Sequence, residues 1–508
     1  MADSKREIER KYETTPGTRL PDLTRAAGVS AVEHRGLMEL DAVYYDTEDL
    51  RLAAGSLTLR RRTGGGDAGW HLKFPVSTGI RDEIRAPLGD TLPDDLAGLV
   101  RSRVRDSRVV PVMRLRSARD VHHLLDEDGT LLAELSIDEV RAERLTENDR
   151  GSATAWTELE VELADGRDPA VLDAVGRRLR KAGIRPSSSS SKLARALAET
   201  APQKPRQKKK AASPRDAGDH VLAYVRHQIT AVVDLDPAVR RDLPDSVHQM
   251  RVATRRLRSA FRTYRKVLDR TVTDPIGDEL KWLAAELGID RDQEVLDERL
   301  RARTGALPGT LILGPVEARL KVSSTVRHGE ARSRIISVLE GQRYLDLLRS
   351  LDALLADPPL RSGAAQEPGD VLARAVTKEH ARLATRVAHA LEQPPGEERD
   401  RALHEARKAA KRARYAGEAA RPALGKPAKR FTKRVKAVQK VLGDHQDSVV
   451  ARDALRALAI QAHGAGESAF TWGLLYGQEE AAAAGREREL PEVWARASDP
   501  GLRAALRG

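Results

Sequence analysis

The spacing of apolar residues changes once along this chain, near residue 200, and divides the 508 residues into two parts. From about residue 6 to 198, apolar and polar residues mostly alternate, as in β-strands with one buried face. After about residue 217 the chain is rich in Ala, Leu and Arg and keeps helical spacing to its end. The sequence therefore predicts an α+β protein of two domains.

The first part contains enough strands to close a barrel. Strand character is found at 6–12, 38–46, 57–62, 69–75, 81–88, 109–125, 131–145 and 155–163. Turn-forming residues separate several of these segments, notably Gly64-Gly65-Gly66. Helices are expected near 21–27, 93–100 and 169–182. We therefore expect residues 1–200 to form an antiparallel β-barrel, a tunnel, with flanking helices.

The second part is predicted to be all-α. Residues 201–215 lack apolar periodicity and consist largely of Pro and Lys, so we expect an extended basic linker. Proline predicts helix breaks at 236–237, 308–309, 357–359 and 394–396. Residues 216–508 are then expected to form a bundle of long helices in two related halves.

The two related halves of the helical part are indicated by a basic pattern that occurs twice. The pattern is His, then two residues, Arg, three residues, Lys or Arg, Arg, one residue and Arg. About forty residues later come Leu287, Gly288 and Asp292 in the first copy, and Leu442, Gly443 and Asp447 in the second. The candidate ligand-binding residues are His248, Arg251, Arg255, Arg258 and Lys281, then His404, Arg407, Lys411, Arg414 and Lys436.

Helical spacing places each set of cations in a narrow stripe opposite an apolar or small-residue face. A solvated helix face would explain one such stripe, but two copies in matched register favour a surface for a polyanion. The net charge of +12 also favours anionic partners.

Composition excludes several classes of protein. The chain has no Cys, which excludes disulfides and thiolate metal sites. The first eleven residues lack the apolar segment of a secretory signal, and no apolar run is long enough to span a bilayer. We therefore expect a cytoplasmic protein without a membrane partner.

Charged residues alternate along the predicted strands, so they share faces. They are Glu7, Glu9 and Lys11 on the first strand, Arg60 and Arg62 on another, and Glu158, Glu160 and Glu162 on a late one. A solvent-exposed outer face would explain one run, but not the segregation of carboxylates and guanidinium groups on different strands.

If these faces point into a barrel, the charged side chains need partners of opposite charge. Paired carboxylates suit Mg²⁺ or Mn²⁺, and the Lys and Arg side chains suit a chain of phosphates. A tunnel lined by both sets is therefore predicted to bind a metal-triphosphate and to hydrolyse it.

Several motifs occur in a fixed order over about residues 4–200. They are Glu7-Ile8-Glu9-Arg10-Lys11, Tyr44-Tyr45-Asp46-Thr47, Leu57 to Arg62, Trp70 to Lys73, Arg81-Asp82-Glu83, Arg119 ahead of Asp138, Glu158-Leu159-Glu160 and Ser191-Lys192. This set resembles the CYTH superfamily of triphosphate tunnel metalloenzymes. Residues 216–505, with the two basic helices, resemble a CHAD (conserved histidine α-helical) domain. The fusion resembles bacterial CYTH–CHAD inorganic triphosphatases.

The resemblance implies roles for individual residues. Glu7, Glu9, Glu158 and Glu160 would hold the divalent metal, and Asp138 would help to position metal or water. Lys11, Arg60, Arg62, Lys73, Arg119 and Lys192 would bind inorganic triphosphate. The helical domain would bind inorganic polyphosphate, which could place the protein at polyphosphate granules.

Other functions stay open. The barrel could bind nucleotides or polyphosphate without turnover, or act on thiamine triphosphate or a nucleoside triphosphate, including as a cyclase. Nucleic-acid binding is disfavoured because aromatic residues make up only 3% of the chain and offer no stacking platform. The sequence does not indicate an oligomeric state.

Two groups of histidines lie outside these motifs. His122 and His123 lie in an apolar strand and are interpreted as structural. His445, beside Asp444 and Asp447, is interpreted as part of a polar cluster rather than as a metal ligand.

Overall fold

The computed structural model of the protein describes residues 3–146, 151–201 and 214–506, except for the side chains of residues 3, 289–293 and 323–328. The chain forms two compact units, Met1–Lys208 and Lys209–Gly508. Most of the predicted linker, residues 202–213, lies outside the described residues, and so does the side chain of Asp292.

The N-terminal unit is a closed antiparallel barrel. Its strands are β1 (Asp3–Thr14), β2 (Ala31–Asp46), β3 (Thr58–Thr63), β4 (Gly69–Ser77), β5 (Ile80–Ala86), β6 (Val110–Leu125), β7 (Leu131–Arg144), β8 (Ala153–Leu163) and β9 (Arg185–Pro186). The strand order is β5-β4-β3-β2-β6-β7-β8-β1-β9, and pairing of β5 with β1 closes eight strands into a ring. The predicted barrel is confirmed.

Clusters of apolar strand residues on the outside of the barrel are covered by helices. Leu159 on β8 is buried in a cluster with Leu172 and Val175 of helix α3 (Ala170–Lys181). Because neighbouring residues of a strand point to opposite faces, Glu158 and Glu160 point into the barrel. Clusters around α2 (Asp94–Val104) and α4 (Lys192–Glu199) cover other strands in the same way. The alternation seen in the sequence therefore places charge inside the barrel.

Some predicted elements differ from those observed. The helix expected near 21–27 is only a 3₁₀ turn at Leu23–Arg25. Strand β2 begins seven residues before the predicted start at residue 38. A short helix α1 (Arg51–Ala54) and helix α4 were not predicted. Lys192 is therefore the first residue of a helix, where the hydroxyl of Ser191 accepts the N–H of Ala194.

The C-terminal unit is all-α, as predicted. Its helices are α5 (Ala217–Arg240), α6 (Ser246–Thr263), α7 (Arg270–Glu286), α8 (Gly288–Gly305), α9 (Val316–Glu340), α10 (Gln342–Ala356), α11 (Pro368–Glu392), α12 (Glu397–Gly464), α13 (Phe470–Ala497) and α14 (Pro500–Ala504). Among the described residues, no helix has the length and apolarity needed to cross a bilayer.

Three of the four predicted helix breaks are confirmed, at 308–309, 357–359 and 394–396. The break predicted at 236–237 is wrong, because α5 continues through Pro237 to Arg240. Pro237 lies within the last turn of α5, where the helix ends soon afterwards in any case.

The predicted buried faces of the two basic helices meet in one hydrophobic core. Met250, Leu257 and Phe261 of α6 and Ala406 and Ala413 of α12 all belong to it. The opposite, basic faces of both helices are thereby kept out of this core.

Helix α12 folds back on itself at Gly425, whose φ of 58° and ψ of −128° interrupt the helix. The two arms meet closely at Gly417, where a Cβ atom would lie 2.6 Å from Oγ1 of Thr432 and 2.9 Å from Cδ1 of Phe431. Such a distance leaves no room for a side chain at residue 417.

We expect Gly417→Leu to lower the free energy of unfolding by about 1–3 kcal/mol, since it overpacks this contact. The matched control is Gly477→Leu, at an exposed site on α13 with no atom within 4 Å of the added Cβ. The control should leave stability unchanged or raise it by up to about 1 kcal/mol. Urea unfolding followed by circular dichroism measures both. Equal effects of the two substitutions would contradict the close packing at Gly417.

Candidate active site and polyanion surface

A cavity of about 370 Å³ runs through the interior of the barrel. Its walls carry nine Lys or Arg side chains and six carboxylates. The predicted residues among them are Glu7, Glu9, Lys11, Arg60, Arg62, Lys73, Arg119, Glu160 and Lys192. The volume is within the range of small-molecule sites, roughly 300–1,000 Å³.

Three carboxylates converge at one side of the tunnel. Asp138, Glu158 and Glu160 are buried, and one oxygen of each lies within 4.8 Å of the others. Nζ of Lys192 lies 2.9 Å from Asp138, 2.8 Å from Glu158 and 2.6 Å from Glu160. Burial lowers the pKa of Lys192, but the three carboxylates outweigh it and raise this pKa well above its ordinary value. Lys192 is therefore held as a cation.

Two further cations join this group. Arg119 donates to both oxygens of Asp138 at 2.7 and 2.8 Å and to Glu160 at 3.1 Å. Lys11 contacts Glu160 and lies 3.0 Å from Glu9. Burial raises the pKa of Glu160, but Lys11, Lys192 and Arg119 hold it well below its ordinary value. The carboxylate therefore stays ionised in spite of its burial.

A second charge cluster surrounds Glu83, which is 0% exposed. Lys73 donates to Glu7 at 2.6 and 2.8 Å and lies 3.4 Å from Glu83. Arg60 lies 3.7 Å from Glu83, and Arg85 contacts it too. Burial raises the pKa of Glu7, more than the charge of Lys73 lowers it.

The predicted metal ligands are thus divided between two clusters. Glu158 and Glu160 meet Asp138, while Glu7 lies with Lys73 and Glu83. Glu9 lies between them, 3.0 Å from Lys11 and 4.0 Å from Arg81. All four are in or beside one tunnel, but their oxygens do not form a single group in this structure.

The cluster of Asp138, Glu158 and Glu160 has the donor atoms that Mg²⁺ and Mn²⁺ prefer. It offers several carboxylate oxygens and no nitrogen or sulfur ligand. Asp138, Glu158 and Glu160 already surround one positive charge, the ammonium group of Lys192. These residues therefore fit a hard divalent cation.

Asp67 is a tunnel residue that no motif in the sequence indicates. It follows Gly64-Gly65-Gly66, the loop between β3 and β4, and its carboxylate contacts Arg62 and lies 3.9 Å from Arg85. Nε2 of His71 lies 2.9 Å from the backbone oxygen of Asp67, and Nδ1 lies 2.8 Å from Glu83. The turn was recognisable from its glycines, but nothing in the sequence paired Asp67 with an arginine.

Arg62 is a tunnel cation whose charged form is disfavoured by its surroundings. Burial, with the charges of Arg60 and Arg119, lowers the pKa of Arg62 to about 9. Asp67 therefore occupies a place where a negatively charged ligand would also be favoured.

Each basic stripe of the helical unit places an arginine over a glycine. A Cβ atom on Gly288 would lie 2.9 Å from a guanidinium nitrogen of Arg251. In the second copy, a Cβ on Gly443 would lie 3.8 Å from Arg407, which also lies 3.5 Å from Asp447. In the first copy, glycine therefore makes room for the arginine. In the second copy a Cβ atom would lie at an ordinary van der Waals distance from Arg407, so the packing there does not require glycine.

The remaining predicted residues of the stripes lie at or near the surface. His248, Arg255, Arg258, His404, Lys411 and Arg414 are half-buried, and Lys281 and Lys436 are exposed. Burial and the neighbouring Lys408 and Arg407 lower the pKa of His404, more than its contact with Gln446 at 2.5 Å raises it. His404 is therefore neutral at neutral pH.

Two basic cavities lie at the end of the first stripe. One, of about 450 Å³ between α6, α7, α11 and α12, is lined by Arg258, Arg262, Arg265, Arg270, Arg382 and Arg412. The next, of about 590 Å³, shares Arg265 and Arg270 and adds Lys266, Arg361, Arg374 and Lys378. The charge of Arg265, with burial and Arg382, lowers the pKa of Lys378. Positive charge in this region is therefore in excess.

His445 lies in a polar cluster, as interpreted from the sequence, but with different partners. It is 3.3 Å from both Asp400 and Glu487. Arg452 pairs with Asp400 at 2.6 Å and Arg399 pairs with Glu487 at 2.8 Å. The two arginines balance the two carboxylates, so the cluster fastens α12 to α13.

Comparison with known proteins gives two family matches. The CYTH domain model matches residues 5–197, and the CHAD domain model matches residues 223–456. The chain is also 39% identical over 513 residues to uncharacterized proteins of two Mycobacterium tuberculosis strains. That alignment covers 98% of this chain and 97% of each relative.

Two solved structures cover about half of the chain each. PptA from Streptomyces chartreusis is 21% identical with a TM-score of 0.47, over 55% of this chain and 100% of that one. The CHAD domain from the plant Ricinus communis is 25% identical with a TM-score of 0.45, over 56% of this chain and 94% of that one.

We expect Asp67→Asn to bind tripolyphosphate about tenfold more tightly, because it removes an anion that competes for Arg62. Isothermal titration in EDTA, which removes divalent metal ions, measures this. The control is Asp90→Asn, whose carboxylate pairs with Arg61 of the same strand at 3.1 Å but is fully exposed. Unchanged or weaker binding by Asp67→Asn would show that Asp67 does not compete with the ligand.

Proposed function

This chain belongs to the proteins that join a CYTH domain to a CHAD domain, and we propose that its barrel hydrolyses inorganic triphosphate with Mg²⁺ or Mn²⁺. The proposal rests mainly on the convergence of Asp138, Glu158 and Glu160 beside a tunnel in whose walls cations outnumber carboxylates. Cations alone would suffice to bind a phosphate chain. Buried carboxylates oppose such binding unless a metal ion accompanies the anion, and so they favour hydrolysis over simple binding.

The residues of the tunnel have separate tasks in this proposal. Arg60, Arg62 and Arg119 offer guanidinium groups for bidentate contacts to phosphate oxygens. Lys11, Lys73 and Lys192 add point charges that stabilise the transferring phosphoryl group. Bound to the carboxylates, a divalent ion would neutralise phosphate charge and lower the pKa of a water molecule.

The lining favours a bare triphosphate over a nucleotide. The only aromatic side chain among the described lining residues is Tyr44, which is buried beside Arg60. A purine or pyrimidine base would therefore find no exposed ring on which to stack. Thiamine triphosphate and nucleoside triphosphates are the alternative substrates, and phosphate release from each compares them directly.

We expect Glu9→Gln to lower phosphate release from tripolyphosphate by at least about a hundredfold in Mg²⁺ or Mn²⁺, because it removes a negative charge that lines the tunnel. The control is Glu139→Gln, an exposed carboxylate adjacent to Asp138 on β7. The control should retain wild-type turnover.

Retained turnover in Glu9→Gln would contradict the assigned site. A folded wild-type protein that binds tripolyphosphate without releasing phosphate would instead favour a barrel that only binds its ligand.

For the helical domain, residues 216–508, we propose binding of inorganic polyphosphate, which would keep the enzyme near polyphosphate deposits. The two basic stripes and the two adjoining basic cavities support this proposal. A polyphosphate chain carries charge at every phosphate and has no base, so it needs cations and no stacking platform. The linker at 201–215 is proposed to join the two domains.

We expect the double substitution Arg258→Gln and Arg412→Gln to weaken polyphosphate binding. The slope of the logarithm of the binding constant against the logarithm of the salt concentration should become shallower by about 0.7 per lost contact. A charge-matched control replaces Arg349 and Arg496, which are exposed on α10 and α13. Titration of labelled polyphosphate at several salt concentrations measures both. Equal losses would indicate a general charge effect. Stronger binding of DNA at matched phosphate and salt would favour nucleic acid as the ligand.

A further inference from the structure

A second group of possible metal ligands lies on the outer face of the barrel. His34 on β2 and Asp120 and His122 on β6 each offer one ligand atom, and these atoms lie within 4.8 Å of one another. Nε2 of His34 is 2.6 Å from Oδ1 of Asp120, and the rings of His34 and His122 are 5.0 Å apart.

The strand register brings these three side chains together. His34 is the cross-strand partner of His122, and a bulge at Arg35 follows before Gly36 pairs with Val121. Asp120 is two residues from His122 on β6, so both point to the same face. Arg119, the residue before Asp120 on β6, points the other way into the tunnel. The cluster therefore lies on the outer face of the barrel wall, whereas the proposed active site lies on the inner face.

The chemistry of this cluster differs from that of the tunnel. Two imidazoles and one carboxylate suit Zn²⁺, Ni²⁺ or Co²⁺ rather than Mg²⁺. Nδ1 of His122 is shielded from solvent and has no hydrogen-bond partner among the described residues. Coordination through this nitrogen would give it the partner that the protein lacks.

Charge balance also sets this cluster apart. In the tunnel, Lys192 contacts all three carboxylates of the acidic group. In the helical unit, Arg452 and Arg399 pair with the carboxylates beside His445. Within the described residues, no Lys or Arg forms an ion pair with Asp120. A cation can therefore bind Asp120 without displacing a positively charged side chain.

We propose that His34, Asp120 and His122 form a binding site for a transition-metal ion such as Zn²⁺, which completes its coordination with water and joins β2 to β6. Three protein ligands and an open position are a recurrent arrangement for Zn²⁺. The site is independent of the proposed hydrolysis, since none of its residues lines the tunnel.

The test is the number of Zn²⁺ ions bound by the full-length protein, measured by competition with a chromophoric chelator in excess Mg²⁺. We expect His34→Ala and His122→Gln each to bind one ion fewer than wild type. His123→Gln, which alters the adjacent histidine of β6, and Glu9→Gln, which alters the tunnel, should lose none of this binding. Circular dichroism checks that each variant is folded.

Binding of Co²⁺ provides a second measurement, which does not depend on the number of ions bound. The wild-type protein with Co²⁺ should show visible absorption bands of a histidine-ligated ion, and His34→Ala should lack them. The proposal is overturned if wild type binds no Zn²⁺ in excess Mg²⁺, or if the bound ion survives both histidine substitutions. Loss of the ion only in Glu9→Gln would place it in the tunnel and would overturn the proposal as well.

Discussion

Mutual compensation of buried charges is the constraint on which the barrel depends. Removing one ion from water costs several kcal/mol unless an opposite charge or hydrogen bonds replace the solvent. Asp138 is 0% exposed, yet Arg119 and Lys192 together contact both of its oxygens. Outward-facing residues such as Leu159 bury apolar area against α3 and so fix the inward direction of their charged neighbours. The fold and the charge network therefore require each other.

The two units treat positive charge in opposite ways. In the tunnel the cations are paired with carboxylates, which fixes their positions before a ligand arrives. At the end of the first helical stripe they are crowded, and burial and the charge of Arg262 lower the pKa of Arg258. A paired network suits a site that must orient one small substrate, whereas an excess of charge suits a long polyanion held by many exchangeable contacts.

Features that result from periodicity were predictable from the sequence, whereas contacts that depend on a turn, a loop or a strand register were not. Alternation along β1 and β8 was enough to place Glu9 and Glu160 inside one barrel. It could not show that Glu7 would lie with Lys73 and Glu83, because that depends on the register between β1, β4 and β5. His34 lies in the part of β2 before a bulge, where alternation breaks, so its pairing with His122 was not recognisable.

The network in the tunnel also links metal binding to triphosphate binding in the proposed function. A divalent ion that took the place of the Lys192 ammonium among Asp138, Glu158 and Glu160 would leave that lysine buried without its anions. A triphosphate would offer the displaced lysine new oxygen partners, while the metal would relieve the repulsion between phosphate and carboxylates. The metal alone would leave the lysine without a partner, and the triphosphate alone would face the carboxylates without a cation between them. When both ligands are bound, each of these charges has a partner. Metal and triphosphate should therefore bind with positive coupling, which by linkage is the same in either order of addition.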